Sequence, residues 1–119
     1  MPTQLQTSTF VWAMMVHLVA DWLFQTEWMV ANKSNVMHVA AWVHSGIHAL
    51  GLLLVLPWYL ALGVGITHLL IDTRILVNWW MTTIKGVPKS SPTFGQVELW
   101  VDQVFHLTIL AVVVLLFAL

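Results

Sequence analysis

Five pairs of ionisable side chains in this 119-residue chain stand four residues apart: His17 and Asp21, His44 and His48, His68 and Asp72, Glu98 and Asp102, and Asp102 and His106. Residues at i and i+4 share one face of a helix. Eleven His, Asp and Glu residues scattered at random over the chain would give roughly one such pair. The chemistry that fits is metal ligation. Three aspartates beside five neutral imidazoles make a site of charge near −3, which one or two divalent cations would offset. Imidazole suits zinc, iron and similar metals, and manganese prefers the carboxylates. Paired helices that donate inward His and carboxylate ligands one turn apart build di-metal sites in bundle cores in this way. The candidate ligands are His17, Asp21, His44, His48, His68, Asp72, Asp102 and His106. Asp102 is also the candidate general base.

The elements that must position these residues are long and apolar. Of the chain, 60% is hydrophobic and 8% charged, whereas a soluble domain carries about a quarter charged residues. Nine charged side chains cannot build a polar shell around a soluble core of this size. A bilayer requires no such shell, and about 20 residues cross it as a helix. The expected fold is all-α, a four-helix transmembrane bundle forming one integral membrane domain over 1–119, with spans at about 10–29, 36–56, 58–81 and 97–119. Asn32, Lys33, Ser34 and Asn35 form a polar turn, and Pro57 separates the second and third spans. The single long loop is 82–96, rich in Gly, Pro and Ser.

Lys33, Lys85 and Lys89 lie in the first and third connections, with Arg74 close by. The positive-inside rule then places those loops in the cytoplasm and both chain ends outside, in the bacterial cytoplasmic (inner) membrane. The N-terminal MPTQLQTSTF has neither a basic region nor a small-residue cleavage site, so a mature start is expected rather than a signal peptide. Trp22, Trp28, Trp58, Trp79, Trp80 and Trp100 fall near predicted helix ends and read as an interfacial belt. With no cysteine, disulfides and thiolate metal sites are excluded, and the net charge of −1 argues against nucleic acid as a partner.

Depth separates a site from scattered polar glue. Counted from the cytoplasmic helix ends, Asp21, His44, Asp72 and His106 fall at one level, roughly 12–14 Å in. His17, His48 and His68 fall one turn deeper, and Asp102 one turn shallower. Three aspartates facing lipid would cost on the order of 8–10 kcal/mol, so they must face inward and be neutralised. Any single pair is explained by interhelical hydrogen bonding; four pairs at one depth favour a shared cation. Ala41, Ser45, Gly51, Ala61 and Gly65 let helices approach closely. Gln25, Thr67, Asn78 and Gln103 are candidates to hydrogen-bond the ligands. His38 and Glu98 read as interfacial helix-start residues. Arg74 reads as a snorkelling cation, with contact to an anionic substrate or lipid as the alternative.

The strings HLVADWLFQTEWM (His17 to Met29), AWVHSGIHAL (Ala41 to Leu50), HLLIDTR (His68 to Arg74) and DQVFHL (Asp102 to Leu107) resemble a domain-of-unknown-function family of small bacterial membrane proteins. Its pattern of HxxxD followed by QT, then HxxxH, HxxxD and DQxxH, is matched at Asp21, Gln25, His44, His48, His68, Asp72, Asp102, Gln103 and His106. The resemblance implies a bacterial multi-span membrane protein and carries over no activity. Three functions follow from the residues. The leading one is an intramembrane metal centre, extending to a metal-dependent hydrolase acting on a lipid-like or anionic substrate. The second is a haem-binding or ion- or proton-transfer role for the same residues. The third is a small accessory subunit of a larger membrane complex or homo-oligomer.

Overall fold

The computed structural model describes residues 1–117. Among them are six α-helices, one π-helical segment and no strand. The first helix, α1 (Gln4–Trp22), starts at a reciprocal cap. Gln6 N donates to the Thr3 hydroxyl (3.0 Å) and Thr3 N donates to Gln6 Oε1 (2.9 Å). This Thr-x-x-Gln signal begins the helix at Gln4 instead of Phe10, where the apolar segment begins.

After Trp22 the chain turns, and Thr26 caps a short α2 (Glu27–Asn32) that packs on the next helix. Here the structure differs from one continuous first segment ending in a solvated turn: α2 folds Lys33 inward, leaving it 7% exposed. The next helix, α3 (Val39–Leu52), begins at His38, whose Nδ1 accepts from Ala40 N at 3.0 Å. Pro57, with its fixed φ, opens α4 (Trp58–Ile71).

The third apolar segment is not one helix. It stops at Asp72, passes through Arg74 at φ 68°, and resumes as α5 (Ile75–Trp79) and the π segment (Trp80–Ile84), bent by 52° from α4. A left-handed φ costs a non-glycine residue roughly 1 kcal/mol or more. The long loop is correspondingly shorter than 82–96, and α6 (Phe94–Leu116) begins before Val97. The end of the fourth predicted span, 118–119, lies outside the described residues.

The four long helices close a ring, with α1 and α4 each packed on both α3 and α6. Neighbours run antiparallel. Gln6 reaches the Leu115 carbonyl near one end of the α1–α6 pair, and His17 meets Gln103 near the other. On α4 and α6, His68 lies by His106 and Arg74 by Glu98. Gly51 and Gly65 sit at the tightest approaches: a Cβ on Gly51 would fall 2.7 Å from Val16, and one on Gly65 2.9 Å from the Ala49 Cβ.

One turn beyond the ionisable pairs on every long helix lies an apolar cluster of Ala13, Leu52, Val64, Leu110 and neighbours. The buried polar set contains five histidines, three aspartates, Lys33, Ser45 and Gln103, while Trp12, Trp22, Trp42, Leu54 and Trp58 are among many large apolar side chains left exposed. Among the described residues, α6 alone is long and apolar enough to cross a bilayer unaided. A second span is reached only if both arms of the 52° bend count together.

Candidate metal centre

The i, i+4 spacing turns each pair inward, and the antiparallel ring brings all four pairs into contact. In the upper layer, His44 Nε2 stands 3.2 Å from Asp21 Oδ1 and 3.3 Å from Asp72 Oδ2, and His106 Nε2 stands 3.4 Å from Asp72 Oδ1. One turn deeper, the rings of His17, His48 and His68 lie 3.7 to 5.7 Å apart between centroids. The two layers join where His48 Nε2 comes 2.9 Å from Asp21 Oδ1, and His68 Nε2 comes 2.9 Å from Asp72 Oδ2 and 3.0 Å from His44 Nε2.

Two groups can each surround one ion. Asp21, His44, His48 and His68 offer ligand atoms all within 4.8 Å of one another, and so do His68, Asp72 and His106. A neutral imidazole has one lone pair, so His68 Nε2 serves one ion at a time. Asp72 turns its two oxygens to different partners, Oδ1 to His106 and Oδ2 to His44 and His68. Two histidines and one carboxylate also leave coordination positions open for water.

The hydrogen bonds around the groups assign tautomers. His106 Nδ1 donates to the Asp102 carbonyl at 2.8 Å. That puts a proton on Nδ1 and, in the neutral ring, leaves the Nε2 lone pair pointed at an Asp72 oxygen. His106 Nε2 faces Asp72 Oδ1, both are buried, and neither atom has a hydrogen-bond partner among the described residues. Two buried acceptors in this position repel each other unless a proton or a metal ion stands between them.

His17 has a different place. Gln103 Nε2 donates to Asp21 Oδ2 (3.0 Å) and Asp102 Oδ2 (3.3 Å), so its Oε1 takes a proton from His17 Nε2 at 3.0 Å. His17 thereby acts as a donor beside Asp21, outside both groups. Asp102 also lies outside both, next to His106, with Oδ1 unpartnered among the described residues and 3.9 Å from Arg74 Nε.

Of the residues expected to support the ligands, Gln103 does so directly. Gln25 and Thr67 instead bond backbone carbonyls, at Asp21 and Val64, and Asn78 Oδ1 is buried without a partner among the described residues. Two cations join the centre that the sequence reading leaves at its edge. Lys33 Nζ stands 3.9 Å from Asp72 Oδ1, and Arg74 pairs with Glu98 instead of snorkelling free. The turn through Asp72, Thr73 and Arg74 aims the carboxylate into the bundle and the guanidinium at α6. Four carboxylates (Asp21, Asp72, Glu98, Asp102) against two cations (Lys33, Arg74) leave two negative charges in excess, the charge one divalent ion cancels.

No curated protein and no solved structure matches the chain. A family described as proteins of unknown function, DUF3307, matches residues 9–119, which hold every pair of the buried cluster, and the chain belongs to that family.

Proposed function

We propose that the chain is a multi-pass protein of the bacterial cytoplasmic membrane whose four-helix bundle holds one or two divalent transition-metal ions, zinc or iron and manganese, for hydrolysis. The observation that carries the metal reading is the gathering of Asp21, His44, His48 and His68, and of His68, Asp72 and His106, into two buried groups whose ligand atoms lie within 4.8 Å of one another. The inverted distribution of residues supports the membrane reading, with ionisable groups inside and large apolar groups outside. At 1.5 Å per residue, α1 spans roughly 28 Å and α6 roughly 34 Å, against about 30 Å of hydrocarbon. The shorter α3 and bent α4 would be matched by local thinning or by their flanking turns. Lys33, Arg74, Lys85 and Lys89 then mark the cytoplasmic side.

A divalent ion in such a site lowers the pKa of bound water to about 7 and polarises a carbonyl or phosphoryl oxygen. The chain's own part is to hold and to accept. His44, His48 and His68 with Asp21 would hold an ion in one group, and His68, Asp72 and His106 in the other. Asp102, buried beside His106 with one oxygen unpartnered among the described residues, accepts the proton from water. Gln103 holds Asp21, Asp102 and His17 in register.

A haem is disfavoured because the imidazoles pack ring against ring around a cavity of only about 10 Å³. The accessory-subunit reading draws on an outward apolar groove of about 760 Å³ between α1 and α3, lined by Trp12, Val16 and Leu54 among others. Elemental analysis of protein purified without chelator tests the metal reading. One or two transition-metal ions per chain are expected, and protein free of them would overturn it.

A further inference from the structure

Beside the centre a cavity of about 230 Å³ lies between the end of α1, α2 and α6. Its lining includes Asp21, Gln25, Lys33, Arg74 and Gln103. Asp21 and Gln103 are shared with the cluster, so the cavity leads directly to it. Two cations face one space in a bundle otherwise poor in them. The Lys33 side chain is 9% exposed, and its ammonium is 3.9 Å from Asp72 Oδ1, beyond hydrogen-bond length. It keeps three donors available. Arg74 is held at one edge by Glu98, which leaves further N–H groups of its planar fork unclaimed by that pair. Its backbone adopts φ 68°, a conformation natural to glycine, so the chain presents a guanidinium where the turn itself favours having no side chain.

We propose that this cavity binds a phosphate group of the substrate, with Lys33 as point charge and Arg74 as fork, and presents it to the metal centre. The inference rests on the metal-centre reading, because without ions the four carboxylates would repel an anion. With two divalent ions bound, those carboxylates and the two cations sum to +2, matching a phosphate monoester dianion. The Gln25 amide, which gives one N–H to the Asp21 carbonyl, keeps a second neutral donor at the same wall. The source is either a lipid headgroup at the membrane face or a soluble phosphate.

The test measures metal content and phosphate binding separately on the full chain in phosphatidylcholine nanodiscs. Inorganic phosphate is titrated into metal-loaded wild type, Lys33→Gln, Lys33→Arg and Arg74→Gly, and the titration is repeated in nanodiscs containing phosphatidic acid. Wild type is expected to bind phosphate, with affinity reduced about tenfold or more in Lys33→Gln and Arg74→Gly and retained in Lys33→Arg. Loss of the phosphate signal in phosphatidic acid discs assigns the lipid source. An unchanged signal assigns the soluble one. Metal-loaded protein that ignores phosphate and phosphatidic acid alike, or binds them equally well in Lys33→Gln and Arg74→Gly, overturns the inference and leaves the metal centre standing. Protein that takes up no metal overturns both, and elemental analysis identifies that case.

Discussion

Asp72→Asn separates a metal site from a hydrogen-bonded network, because the two readings predict opposite dependence on metal. The carboxylate stands 3.9 Å from Lys33 Nζ, an attraction of about 4 kcal/mol at an effective dielectric of 20. His44 Nε2 lies 3.2 Å from Asp21 and 3.3 Å from Asp72, so those two carboxylates are no farther apart than the two distances together. Their repulsion is then about 2.5 kcal/mol or more on the same basis. The two effects oppose, and chelated Asp72→Asn should differ from chelated wild type by less than about 2 kcal/mol. On the metal reading, an ion at a hundred times its Kd should stabilise wild type by about 2.7 kcal/mol, roughly 10 °C in Tm for a chain of this size. The variant keeps Asp21, His44, His48 and His68 but lacks the carboxylate that faces His106, so it should lose the increment of the Asp72 and His106 position and keep that of the other. The assay is thermal unfolding of purified protein with chelator and with added zinc or manganese. A wild type indifferent to both, together with a variant destabilised in chelator by several kcal/mol, would show the cluster to be structural glue and refute the reasoning.

Three further outcomes follow from the geometry. Gln103→Leu removes the donor to Asp21 and Asp102 and the acceptor for His17, so metal affinity should fall about 10–100-fold in competition with a chelating dye; an unchanged affinity would contradict its positioning role. Gly65→Ala sets a Cβ 2.9 Å from the Ala49 Cβ, which cannot rotate away, so α3 and α4 must separate at about 1–3 kcal/mol in thermal unfolding. Gly63→Ala meets nothing within 4 Å and should be neutral or slightly stabilising, and equal effects at the two positions would be inconsistent with the packing. Arg74→Gly relieves a left-handed φ worth roughly 1 kcal/mol and loses a partly exposed ion pair worth about as much, so its stability should stay within about 1 kcal/mol of wild type.

The depth of the pairs was readable because it depends on helix length and antiparallel order alone. Asp21, His44, Asp72 and His106 meet at one level, with His17, His48 and His68 one turn away, as counting 1.5 Å per residue predicts. The cap at Thr3 and Gln6 was equally readable but is outweighed by the apolar run that starts at Phe10. The break at Asp72 to Arg74 carries no such mark. It contains neither glycine nor proline, and contacts across the bundle hold Arg74 against its own backbone preference. Lys33 in a run of Asn, Lys, Ser and Asn reads as solvated turn, and only the fold of α2 turns it inward. Hydrogen-bond roles lie beyond any sequence pattern: His17 and His106 have similar spacing to an aspartate, yet His17 donates through Nε2 to Gln103 and His106 through Nδ1 to a backbone carbonyl.

The most direct measurement of the central claim is an anomalous-scattering map from crystals grown without chelator, collected at the absorption edge of the metal found by elemental analysis. The account predicts one peak among Asp21, His44, His48 and His68, or two with the second between Asp72 and His106. A map at the same edge with no peak inside the bundle, and ordered water or closed hydrogen bonds in its place, would contradict it.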